Sequence, residues 1–93
     1  MPRFLIERDI PGAGSFTDDE VRAIAIKSNE VLANMAPRAQ WLQSYVTEGQ
    51  IVCVYLADNE DAVLEHARCG GFPATRIQRV RRVIDPVTAE VAA

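Results

Sequence analysis

The sequence predicts an α+β domain: a four-stranded antiparallel sheet with two helices packed on one of its faces. Three observations carry that prediction. The 93 residues leave room for one modest core and no second domain. Hydrophobic periodicity changes along the chain in the order strand, helix, strand, strand, helix, strand. Breakers stand between the segments, at Pro11-Gly12-Ala13-Gly14, at Pro37, at Glu48-Gly49-Gln50 and at Gly70-Gly71-Phe72-Pro73.

Arg3 to Arg8 is short and alternates, with Phe4 and Ile6 on one side and Arg3, Leu5 and Glu7 on the other. Thr17-Asp18-Asp19-Glu20 then reads as a capping box, in which the Thr17 hydroxyl accepts from the Glu20 amide and the Glu20 carboxylate from the Thr17 amide. Val21, Ile24, Ala25, Ser28, Leu32 and Met35 follow at helical spacing, so a helix is expected over 17–35. Trp41 to Thr47 and Ile51 to Ala57 form a hairpin across the Glu48-Gly49 turn, the second strand rich in β-branched and aromatic residues. Asp58 is the expected N-cap of a second helix, whose apolar stripe holds Ala62, Val63, His66, Ala67 and Gly70. Gly70-Gly71 stops it, and Pro73 prevents its continuation. Arg76 to Ile84 alternates as a last strand, which Asp85-Pro86 ends.

Two βαβ halves with right-handed crossovers assemble most compactly as a ferredoxin-like βαββαβ sandwich, a name for the topology that implies no cluster. Residues 1–86 form the domain, and residues 87–93 are expected as an exposed tail. Alternation assigns Phe4, Ile6, Leu42, Val46, Val52, Val54, Leu56, Val80 and Ile84 to the face under the helices. The other face then carries Arg3, Leu5, Glu7, Trp41, Gln43, Tyr45, Cys53, Tyr55, Arg79 and Arg81. That much aromatic surface predicts a cover, most simply a second copy in a two-fold homodimer, with a pocket between the sheets.

Composition narrows the function. Apolar residues make up 48% and charged residues 25%, and the net charge is −3. That balance disfavours nonspecific binding to nucleic-acid phosphates or anionic lipid. Arg76, Arg79, Arg81 and Arg82 divide between two faces and make no single basic stripe. No apolar run approaches the ~18–20 residues of a membrane helix, and the opening MPRFLIERDIPGAG is too short and too charged for a signal peptide. Cys53 and Cys69 lack CxxC spacing and are too few for an iron–sulfur cluster, so a soluble, reduced, cytoplasmic domain is expected. Phosphate loops, GxGxxG, GxSxG and HExxH are absent, so no nucleotide is expected. Ser44, His66 and Glu7 make no triad, because Ser44 points toward the helices and Glu7 away.

The segments PRFLIERDIPGAG, WLQSYVTEGQIVCVYLAD, AVLEHARCGGFPATRI and VRRVIDP resemble a family of small bacterial proteins over residues 2–86. That family was first catalogued as a domain of unknown function and includes a nickel-binding, nickel-responsive member. The resemblance implies the ferredoxin-like fold, a homodimer and binding of a divalent transition metal, nickel being the named case. His66, in the EHA segment, matches the family pattern. Gln43 departs from it, since many members carry histidine there, and a glutamine carbonyl is the poorer partner for nickel. Two functions follow as expectations. The first is a dimeric, non-catalytic metal-binding protein with His66, Glu7 and Gln43 as ligands. The second is a small-molecule binder or cofactor-free enzyme whose pocket, between the sheet faces of a dimer, is lined by Tyr45, Cys53, Tyr55, Arg79 and Arg81. In that second reading Glu7 moves a proton.

Overall fold

The computed structural model describes residues 1–90. Its elements are β1 (Arg3–Asp9), α1 (Asp18–Met35), β2 (Ala39–Val46), β3 (Gln50–Ala57), α2 (Glu60–Gly70) and β4 (Arg76–Arg79), with short 3-10 turns at Ala13–Ser15 and Pro86–Ala89. The strands form one antiparallel sheet in the order β2-β3-β1-β4, the ferredoxin-like arrangement. No helix among the described residues is long and apolar enough to cross a membrane.

The α1 cap and the α2 stop act where the sequence puts them, and the α2 cap moves by one residue. Thr17 caps α1, its hydroxyl accepting from the Glu20 amide at 3.1 Å while a Glu20 carboxylate oxygen accepts from the Thr17 amide at 3.1 Å. Ser28, Val31 and Met35 are the buried residues of α1. At α2 the cap is Asn59 rather than Asp58: the Asn59 side chain accepts from the Ala62 amide at 2.9 Å. The end of α2 is a Schellman turn. Gly71 takes the left-handed conformation at φ 69°, and the Phe72 amide donates to the Ala67 carbonyl at 2.9 Å. That turn folds Phe72 back under the helix.

The core lies between the helices and one sheet face. Phe4 and Ile6 of β1, Ile51, Cys53, Tyr55 and Ala57 of β3, and Val31, Met35, Ala62 and Val63 of the helices are buried together. This corrects the phase of β3 and β4 and the placement of two residues in β2. Phe4 pairs with Tyr55 and Ile6 with Cys53, so the odd residues of β3 face the helices, and Val52, Val54 and Leu56 face away. In β2 a bulge between Trp41 and Gln43 takes up Leu42 and turns Trp41 inward. Leu42 is therefore exposed, while Ser44 and Val46 keep the helix side and Gln43 and Tyr45 the open side. In β4 the partly buried Ile77 packs on the core opposite Ile6, which puts Arg79 on the helix side opposite Phe4 and Gln78 on the open side.

The last strand is also shorter than expected. It ends at Arg79, and the Val80 amide still donates to the Arg3 carbonyl at 2.8 Å. In this register Arg81 would lie opposite Pro2, which has no N–H for the ladder. Arg81 thus leaves the sheet, and residues 81–90 are all exposed, Val83, Ile84 and Val87 among them. Of the expected tail, residues 91–93 lie outside the described residues.

Candidate functional site

The polar residues that the fold gathers lie inside the sandwich. Alternation along β1 places Arg8 on the same face as Phe4 and Ile6, and its side chain is only 3% exposed. Its Nε donates to the Cys53 sulfur at 3.4 Å and its Nη1 to the Pro73 carbonyl. Its guanidinium carbon sits 5.4 Å from the centre of the Phe72 ring, within cation–π range. Nη2 has no partner. The two ion pairs among the described residues, Arg38–Glu65 and Arg76–Glu7, are elsewhere.

Also beside Phe72 lies His66, 1% exposed, its ring stacked on Phe72 at 5.5 Å and tilted against Tyr55 at 5.0 Å. His66 Nε2 is 3.1 Å from the Ser28 hydroxyl, which in turn is 3.5 Å from the Tyr55 hydroxyl. Nδ1 is unpartnered. Burial, and next the Arg8 charge, push the imidazole pKa down to about 4, so His66 is neutral at pH 7. Burial likewise raises the Tyr55 phenol and keeps it protonated.

Arg8, Ser28, Tyr55 and Phe72, but not His66, border a cavity of about 150 Å³ between α1 and the sheet. Arg8, Ser28, Cys53 and Tyr55 make its polar end. Ile10, Ile24, Ala25, Trp41, Ile51 and Phe72 make apolar walls. The exposed Val21 and Val46 mark where the cavity meets the surface, between the start of α1 and the end of β2.

The residues expected as one site are distributed over both sides of the sheet. Glu7, Gln43 and Tyr45 lie on the open face. There Glu7 accepts from Gln78 Nε2 at 3.1 Å and pairs with Arg76 at 3.8 Å, and Gln43 Nε2 donates to the Tyr45 hydroxyl. His66, Cys53 and Tyr55 lie on the helix side; Arg79 points to that side too but is exposed, and Arg81 is beyond the strand. One chain therefore does not bring His66 together with Glu7 and Gln43. Among the described residues no three His, Cys, Asp or Glu side chains are grouped as a metal would need. An imidazole shut into the core, a carboxylate already held by Arg76 and a glutamine amide do not make a nickel site within one chain.

Two members of the internal cluster carry sequence signals of their own. Arg8 stands two residues after Ile6 in strict strand alternation, a charged residue at a core position. Ser28 sits in the apolar stripe of α1, where a hydroxyl needs a partner. Phe72, masked by the glycines before it, has no such signal.

Comparison with known proteins places the chain. No curated protein matches it. The crystal structure of SCO4226 from Streptomyces coelicolor A3(2) superposes with a TM-score of 0.75 at 18% identity, covering 88% of this chain and 99% of that one, a likeness of fold. Residues 4–80 match the family described as nickel responsive protein SCO4226-like, and the chain belongs to that family.

Proposed function

We propose that the protein is a cytoplasmic, homodimeric, non-catalytic binding protein whose ligand is a small organic molecule held in the cavity between α1 and the sheet. The cavity carries this reading: about 150 Å³ of mostly apolar space with a few polar groups at one end is how small-molecule sites are built. The chemistry of those groups supports binding over catalysis. Ser28 touches His66, but an imidazole with a pKa near 4 is a weak base, and the described hydrogen bonds give its Nδ1 no carboxylate. The homodimer is supported by the open sheet face. Leu5, Val52, Val54 and Leu56 are only half-buried there with no helix over them, and Tyr45 is exposed beside them. Neither nucleic acid nor membrane is a partner in this reading, consistent with the net charge of −3.

The family description supports a second reading, in which the chain binds nickel. Glu7 and Gln43 on the open face would then need further donors from a second copy. Titration of chelator-treated protein with Ni²⁺ and with small organic compounds separates the two. The single tryptophan, Trp41, lines the cavity, so its fluorescence reports filling. The expected result is a Trp41 response to an organic compound that Ala25→Trp, which plugs the cavity, abolishes. Micromolar Ni²⁺ binding lost in Gln43→Ala, with no organic compound bound, would replace this proposal by the nickel reading.

A further inference from the structure

We infer that the ligand is an organic monocarboxylate with a compact apolar body, and that Arg8 takes its carboxylate. The inference rests on the cavity reading above and names the ligand class. Arginine keeps its charge under all physiological conditions. Here the residue is only 3% exposed, on a strand in the core, and no carboxylate among the described residues pairs with it. Buried charges in folded proteins are paired, because leaving water without a counter-charge is strongly unfavourable. Arg8 is held in place by the Cys53 sulfur, the Pro73 carbonyl and the Phe72 ring, and these leave Nη2 unused. Arg8 lines the cavity and its Nη2 is buried and unpartnered, so a planar anion that displaces the adjoining lining meets a guanidinium already positioned by neutral groups.

The remaining lining narrows the class. Arg8 is the one cation in the lining, so one negative charge is matched and a phosphate dianion is not. The Ser28 and Tyr55 hydroxyls offer neutral hydrogen bonds near the same end. The walls are aliphatic at Ile24 and Ile51 and aromatic at Trp41 and Phe72. A cavity near 150 Å³ has the size of an engineered one that admits benzene. Benzoate is therefore the probe, and its neutral isostere benzamide the control.

The test is calorimetry and Trp41 fluorescence on the full chain, with NMR of the Arg8 Nε–H. Benzoate is expected to bind at least about tenfold more tightly than benzamide, as a charge-assisted hydrogen bond implies. Its addition is expected to shift the Arg8 Nε–H signal of the unaltered protein, a readout that survives even if Arg8 variants fail to fold. Arg8→Gln is expected to lose that preference, so that benzoate and benzamide then bind within about twofold of each other. Equal binding of acid and amide, or an Arg8 signal indifferent to benzoate, overturns the carboxylate assignment and leaves the cavity reading standing. If benzene, benzamide and benzoate all fail to bind, the cavity reading itself falls.

Discussion

The Ser28 hydroxyl on α1 lies 3.1 Å from His66 Nε2 on α2, so a neutral imidazole holds a polar contact between the two helices at the floor of the core. Protonating that imidazole would place a second positive charge in the core that already holds Arg8. The folded-state pKa near 4 is below the ordinary 6.5 of the unfolded chain, so the unfolded state binds the proton first. Stability from this group is fully present above pH 6.5, falls as the pH drops toward 4, and is flat below that. The expected loss from His66 is on the order of 3 kcal/mol. Urea unfolding measured between those pH values checks it, and His66→Phe should flatten that part of the profile.

Ser28→Ala removes the hydroxyl that His66 Nε2 and the Tyr55 phenol both face. Both are buried. The expected cost is about 1–3 kcal/mol, since buried polar groups would be left unsatisfied. Ser28→Thr keeps a hydroxyl and should cost less if its extra methyl fits toward the cavity. Denaturant midpoints of the two variants give the comparison.

Gly70→Ala would place a Cβ 2.3 Å from Cε2 of Phe72, inside van der Waals contact. The ring stacks on His66 and lies under Arg8, so it has little freedom to retreat. Destabilisation of about 1–3 kcal/mol is expected, as for other overpacked sites. The ring-current shift on the His66 imidazole protons should change in parallel. A stable variant with unchanged His66 signals would show that Phe72 is not fixed by its two neighbours.

Val54→Arg puts a charge in the middle of the open face, between Leu5 of β1 and Gln43 of β2. Val54 faces away from the helices and is not part of the buried core, so the fold should survive with unchanged circular dichroism. If that face joins two copies, the variant sediments as a monomer while the unaltered protein sediments as a dimer. Unaltered protein that sediments as a monomer at high concentration would remove the dimer from the proposal.

The parts of the fold legible in the sequence are those with local causes. The start of α1 is written in Thr17 and Glu20, and the end of α2 in two consecutive glycines, because capping involves residues a few positions apart. The phase of β3 is not local. Ile51 to Ala57 is apolar at both parities, so alternation carries no information, and only the pairing of Ile6 with Cys53 decides which set turns inward. Trp41 turns inward at a bulge, which no two-residue period can register. The candidate site suffered from the same cause. Simple alternation groups Tyr55 and Cys53 with Glu7 on a face they do not share, while Arg8 continues the inward set of Phe4 and Ile6.

The two outer strands differ from the two inner ones in a way that bears on solubility. β4 is four residues long and has arginine at both ends, and β2 is interrupted by its bulge at Leu42. A short charged margin and a kinked one are poor templates for adding a strand from another molecule. The domain is thereby guarded against growing sideways into fibrils, and self-association is steered away from its hydrogen-bonding margins.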